Sequence, residues 1–184
     1  MLSDLQKRKI SHQFKMLDQN GDGFLSDADV EMIVSNLARE FKVSPASDTY
    51  TALKAVYGAQ WKQIQQFADP DRDGRVSLDE LLKYWDATLN TPGALDALVV
   101  DYSKSYFALF ELLDPAGPKN CYTAERWGKY FVAHHQPYQD GVAGIQAIDR
   151  NGSGVVDTAE AVRAMREFFG SDPNAPGNTL FGPY

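Results

Sequence analysis

Cysteine is almost absent: Cys121 stands alone among 184 residues. No internal disulfide can form, which suits a reducing compartment. Long apolar runs are also missing, and no stretch approaches the length of a membrane span. The first residues, Met1-Leu-Ser-Asp-Leu-Gln-Lys-Arg-Lys9, lack the apolar core of a secretion signal, and Leu2 stands where N-myristoylation needs glycine. The expectation is a cytoplasmic protein without a membrane anchor. Positive charge is in deficit, with 18 Lys and Arg against 25 Asp and Glu. No basic stripe offers itself to nucleic acid. His134-His135 has no third ligand at matching spacing for a transition metal, and His134 reads better as a helix-end residue. No Ser/His/Asp arrangement and no phosphate-cradling loop occurs, so nothing points to an enzyme. What remains, 43% hydrophobic and 12% aromatic, is a globular composition.

The acidic residues are not scattered. Three stretches share one spacing of oxygen-bearing side chains: Asp18-Gln-Asn-Gly-Asp-Gly-Phe-Leu-Ser-Asp-Ala-Asp29, Asp69-Pro-Asp-Arg-Asp-Gly-Arg-Val-Ser-Leu-Asp-Glu80 and Asp149-Arg-Asn-Gly-Ser-Gly-Val-Val-Asp-Thr-Ala-Glu160. A twelve-residue loop with oxygens at positions 1, 3, 5 and 12, a carbonyl at 7 and glycine at 6 is the calcium loop of an EF-hand. A hard cation takes six to eight oxygens, and they converge only if the chain turns sharply. The expected ligands are Asp18, Asn20, Asp22, the Phe24 carbonyl and Asp29 in loop one. In loop two they are Asp69, Asp71, Asp73, the Arg75 carbonyl and Glu80. In loop four they are Asp149, Asn151, Ser153, the Val155 carbonyl and Glu160. Position 9, occupied by Ser26, Ser77 and Asp157, acts through water. The apolar position 8, Leu25, Val76 and Val156, suits a short β contact between paired loops.

These loops are unequal. Loop two offers four carboxylates, and loop four has fewer charges in direct reach. Loop one ends in Asp29, one methylene shorter than Glu, which favours a smaller octahedral shell and therefore Mg²⁺. About three Ca²⁺ ions are expected, and they would cancel all but one of the seven net negative charges.

Helical spacings flank the loops. Phe14 and Leu17, Ile145 and Ile148, and also Phe110 and Leu113, precede an Asp by four and one positions. Loop two departs, with Gln65 and Ala68 there and Ile64 and Phe67 one step off. After the loops come Val30, Ile33, Val34; Leu81, Tyr84, Trp85; and Ala161, Ala164, Met165. The run from Asp114 is a broken copy. With one extra residue, Tyr122 takes position 8, Arg126 position 12, and Trp127, Tyr130 and Phe131 the buried face. A guanidinium there would repel a cation, so this third hand is expected to fold empty and to pair with the fourth through Tyr122 and Val156.

The predicted fold is therefore all-α: four EF-hands in two pairs packed into one compact body, with hands one, two and four metal-competent. Thr91-Pro92-Gly93 divides residues 1–90 from 91–170, and residues 171–184 form a tail. Helices are predicted over about residues 3–17 and 27–41. Another starts with Ser44 as cap and Pro45 as first residue, carrying Leu53, Val56, Tyr57, Trp61 and Ile64 on one face. Gly141 and Gly144 weaken the helix before loop four. The tail either frays or docks through Leu180, Phe181 and Tyr184.

With four hands, one degenerate, a first loop ending in Asp, a long spacer between hands one and two, and a last helix closing with Arg166-Glu-Phe-Phe-Gly170, the chain resembles the sarcoplasmic calcium-binding protein family over nearly its whole length. Its bacterial, calerythrin-like members are the nearest in character. The departure is that the third hand is broken, where several members break the second. The resemblance implies a compact, non-enzymatic, monomeric Ca²⁺ buffer or transporter with Mg²⁺ competition, without nucleic-acid or membrane partners. A Ca²⁺ sensor opening an apolar groove to a target helix is the alternative, disfavoured because sensor grooves are Met-rich and only four Met occur. A luciferin-binding cavity lined by Trp61, Tyr84, Trp85, Trp127 and His134 is a third reading, against which the last helix lacks the His and Trp of photoproteins.

Asp29→Glu should shift loop one toward Ca²⁺ over Mg²⁺. An unchanged ratio of the two dissociation constants in competition calorimetry would refute the assignment.

Overall fold

The computed structural model describes residues 1–184. Eight helices carry the fold: α1 Asp4–Leu17, α2 Asp27–Glu40, α3 Asp48–Ala68, α4 Leu78–Leu89, α5 Ala94–Leu113, α6 Ala124–Ala133, α7 Tyr138–Ile148 and α8 Thr158–Phe169. Four two-residue strands lie in the loops: β1 Phe24–Leu25, β2 Val76–Ser77, β3 Tyr122–Thr123 and β4 Val155–Val156. β1 pairs antiparallel with β2, and β3 with β4, with Tyr122 opposite Val156. The one-residue insertion read from the third hand is thus its actual register.

Local signals set most helix ends. Ser3 caps α1 in a capping box with Gln6. The start of α3 differs from expectation: its cap is Ser47, whose hydroxyl accepts from the Tyr50 N–H at 3.2 Å. Ser44 instead begins a turn, its carbonyl accepting both the N–H and the hydroxyl of Ser47. A cap with Asp48 behind it, favourable to the helix dipole, outcompetes the cap three residues earlier. On α3, Leu53 and Trp61 are buried, Tyr57 and Ile64 partly so, and Val56 is exposed. Before loop two, Ala68 is buried and Phe67 is 60% exposed, so this hand keeps the common register and leaves an aromatic outside.

One cluster of 35 buried apolar residues runs through all eight helices, so the two pairs share a core. Trp85 of α4 stacks on Phe169 of α8 at 4.5 Å between centroids, across the halves. Trp127 is stacked between Tyr122 and Tyr130, and Tyr106 and Tyr130 join hydroxyl to hydroxyl at 3.2 Å. Trp85 and Trp127 are therefore filled in by neighbouring rings. His134 is buried at the end of α6; its Nδ1–H donates to the Tyr130 carbonyl at 2.8 Å, and burial lowers its pKa to about 4. Its Nε2 and the Trp61 indole N–H have no partner.

Gly141 and Gly144 have a packing role. A Cβ at Gly141 would lie 2.8 Å from the Trp127 carbonyl, and one at Gly144 would lie 2.8 Å from that of Thr179. Their helix-propensity cost of roughly 1 kcal/mol each is offset by the approach of α6 and of the tail.

That tail does not fray. After a 3₁₀ turn at Pro176–Thr179, Leu180 and Phe181 are buried, while Tyr184 stays 40% exposed. The Trp127 indole N–H donates to the Leu180 carbonyl at 2.8 Å, and His12 Nε2 to that of Phe181 at 2.8 Å. Lys9, fully buried on α1, donates to the Gly170 carbonyl at 2.9 Å, the Glu167 carbonyl at 3.3 Å and Asn178 Oδ1 at 2.8 Å. Burial lowers its pKa to about 8, and the three acceptors match the three donors of an ammonium.

Burying Leu180 and Phe181 contributes roughly 1.5–3 kcal/mol each. Deleting residues 178–184 should lower the melting temperature by roughly 6–24 °C; an unchanged melt would mean that the tail adds nothing to the fold.

Candidate metal centres

Each loop is wound by its own acidic side chains. In loop one, Asp18 accepts the Gly21 and Gly23 N–H groups, Asn20 Oδ1 that of Asp22, and Asp22 that of Phe24, all between 2.8 and 3.0 Å. In loop two, Asp69 accepts Asp73 and Gly74, Asp71 also accepts Asp73, and Asp73 accepts Arg75. In loop four, Asp149 accepts Ser153 and Gly154, and Asn151 also accepts Ser153. The glycines at position 6, Gly23, Gly74 and Gly154, have φ of +85°, +88° and +84°, where a side chain is strained. Such winding turns the oxygens at positions 1, 3 and 5 toward one another.

In loop two, one carboxylate oxygen from each of Asp69, Asp71 and Asp73 lies within 4.8 Å of the others. The Asp73 N–H lowers the Asp71 pKa, but desolvation and the nearby Asp69, Asp73 and Glu80 carboxyls outweigh it, and the net shift is upward. Like charges held together in this way suit a divalent cation, so the residues present fit the metal that the motif implies.

The acid at position 12 has a second task. Asp29, Glu80 and Glu160 each stand at the third residue of the following helix and accept the N–H of the cap at position 9: Ser26 at 2.9 Å, Ser77 at 2.8 Å and Asp157 at 3.3 Å. Asp29 also accepts the Gln19 and Asn20 N–H groups, and Glu160 those of Arg150 and Asn151. Loop two has Pro70 at position 2, which has no N–H to give, and Glu80 makes no such bond across its loop. Sequence reasoning passed over Pro70, although its identity was the available signal.

The third hand is filled by its own side chain. Arg126, 2% exposed, donates from Nε to Asp114 Oδ2 at 2.9 Å. Its terminal nitrogens donate to the Asp114 carbonyl at 2.9 Å and the Pro118 carbonyl at 2.6 Å. The guanidinium does more than repel a cation, because it gathers the oxygens of the turn around a covalently attached positive charge. Glu125 points outward and pairs with Lys129. Cys121 beside it is buried, with its thiol pKa pushed up by desolvation, as an inert residue would be.

Comparisons with known proteins find EF-hand models and calcium-binding relatives. An EF-hand domain pair model matches residues 7–85, and an EF hand model residues 142–160. The chain is 26% identical to sarcoplasmic calcium-binding proteins II, V, VI and VII of Branchiostoma lanceolatum over 98% of both chains. Among solved structures, it is similar to a Streptomyces coelicolor calcium-binding protein described in connection with prokaryotic calcium-mediated regulation. That match has a TM-score of 0.71 and 25% identity over 89% of this chain and 97% of the other. The coelenterazine-binding protein of Renilla muelleri superposes over 100% of both chains with a TM-score of 0.79 at 18% identity, a likeness of fold.

Removing a buried guanidinium leaves its oxygens unpaired. Arg126→Ala should destabilise the chain by about 3 kcal/mol, read by urea unfolding in EDTA, with Arg126→Lys recovering only part because lysine lacks the planar fork. Full stability of Arg126→Ala would show that the guanidinium does not hold this loop.

Proposed function

The chain is a calcium-binding EF-hand protein related to the sarcoplasmic calcium-binding proteins, and on that premise we propose that it buffers Ca²⁺ in the cytosol as a monomer, in competition with Mg²⁺. Three hands take the metal in this reading: Asp18, Asn20, Asp22, Phe24 and Asp29; Asp69, Asp71, Asp73, Arg75 and Glu80; and Asp149, Asn151, Ser153, Val155 and Glu160. Phe24, Arg75 and Val155 contribute through their carbonyls. Loop one, closed by Asp29, is the site most open to Mg²⁺. The third hand needs no ion, since Arg126 supplies the charge.

The observation that carries the buffer reading is the state of the apolar surface between the helices. A sensor keeps a groove that opens on binding and admits a target helix. In this chain Leu180 and Phe181 of the tail pack on Trp127 and Phe168, and Trp85 and Phe169 close the seam between halves. The space a target helix would use is thus occupied by the chain itself. The same packing weighs against a luciferin cavity, because Trp85 and Trp127 are engaged with neighbouring rings. No helix is long and apolar enough to cross a membrane.

The test is a Ca²⁺ titration of the metal-free protein in millimolar Mg²⁺, followed by ANS fluorescence. A buffer gives a flat or falling signal that breaks near about three equivalents, with dissociation constants on the order of 10⁻⁹–10⁻⁸ M at the tightest sites. A rising signal would mean that apolar surface opens, and the function would be a sensor's.

A further inference from the structure

We propose that docking of the C-terminal tail is coupled to the metal state of loop 149–160 through Arg150 and Glu167, so that this hand and the tail close together. The inference rests on the reading of that loop as a metal site.

The coupling runs through a continuous set of contacts. Arg150 is the second residue of the loop, and its main-chain N–H is held by Glu160 Oε1 at 2.9 Å. Its guanidinium leaves the loop and pairs with Glu167 Oε1 at 2.5 Å, two turns further along α8. The other oxygen of that carboxylate, Oε2, accepts the Gly177 N–H of the tail at 2.8 Å. The Glu167 carbonyl accepts Lys9, which also holds Asn178. One carboxylate therefore joins the loop to the tail, and its own residue also meets α1.

The seat of the tail permits little slack. A Cβ added at Gly177 would lie 2.4 Å from the Ala164 carbonyl, so the tail backbone rests directly on α8. The other loops lack such a link. At the equivalent position Gln19 bonds the Met16 carbonyl and Asn36, and Pro70 has no polar side chain.

When the loop is loosened, Arg150 loses the main-chain anchor that aims it, and Glu167 loses the charge that orients it toward Gly177. Linkage makes the effect mutual: whatever the metal adds to tail docking, the docked tail adds to metal affinity. Metal loss at this one hand would then release Leu180 and Phe181 and uncover the surface they occupy.

Amide hydrogen exchange on the full chain, in EDTA and in saturating Ca²⁺, tests this. In the wild type, Ca²⁺ should slow exchange both at Gly154 in the loop and at Gly177, Leu180 and Gly182 in the tail. In Arg150→Ala, an exposed-edge substitution, Ca²⁺ should slow Gly154 alone, and the Ca²⁺ midpoint read there should rise about fivefold or more. Glu167→Ala, outside the loop, should behave alike, and the double variant should be no worse than either single one. Tail protection that depends on Ca²⁺ equally in Arg150→Ala and wild type would overturn the coupling alone, as would tail protection indifferent to Ca²⁺. A loop four whose own amides ignore Ca²⁺ would overturn both the coupling and the metal assignment of that loop.

Discussion

Oxygens that converge around one point repel each other unless a positive charge stands among them, and this chain is built around four such points. At three of them the oxygens belong to carboxylates and amides or hydroxyls on a tightly wound twelve-residue loop. At the fourth they belong to Asp114 and to main-chain carbonyls, and the charge is the guanidinium of Arg126. The same electrostatic requirement is thus met once by a residue and, in the proposed reading, three times by a diffusible ion. This contrast explains why the third hand can lack carboxylates at its middle positions and still fold. In the C-terminal pair, β3, close in sequence to Arg126, pairs antiparallel with β4 of loop four.

The acid at position 12 carries this requirement into the rest of the molecule. Asp29, Glu80 and Glu160 each bond the cap of the next helix, so the state of the loop and the start of α2, α4 or α8 cannot be set independently. Glu160 adds a bond to the main chain of Arg150. In loop two Pro70 removes the equivalent donor; separately, the neighbouring carboxyls and desolvation shift Asp71 upward. Loops that share a motif therefore differ in how much of their winding is self-supported. That difference is a physical basis for unequal sites beyond the count of charges.

Packing between the halves depends on small and buried features far from any loop. Glycines in α7 let α6 and the tail approach to distances that any side chain would forbid. Lys9 spans α1, α8 and the tail with one ammonium. These contacts turn two hand pairs into a body whose interior aromatic surface is already covered, the property on which the proposed buffering role rests.

The loops were legible in the sequence because each is a contiguous twelve-residue unit whose ligands and turn are fixed by local spacing. The shifted register of the third hand was legible too, since helical periodicity on both sides of it counts residues. The start of α3 was less legible because two cap signals lie three residues apart, and the second wins with Asp48 behind it in the first turn. The fate of the tail, the use of Gly141 and Gly144, the burial of Lys9 and the partners of Arg126 and Arg150 were not legible. Each depends on which surfaces meet, in the case of Lys9 with a partner 169 positions away, and sequence spacing carries no information about that. By itself the sequence determined an all-helical protein of four hands with three loops suited to metal. The tertiary structure alone decided what fills the space between them, because burial is a property of the assembled body and not of any segment.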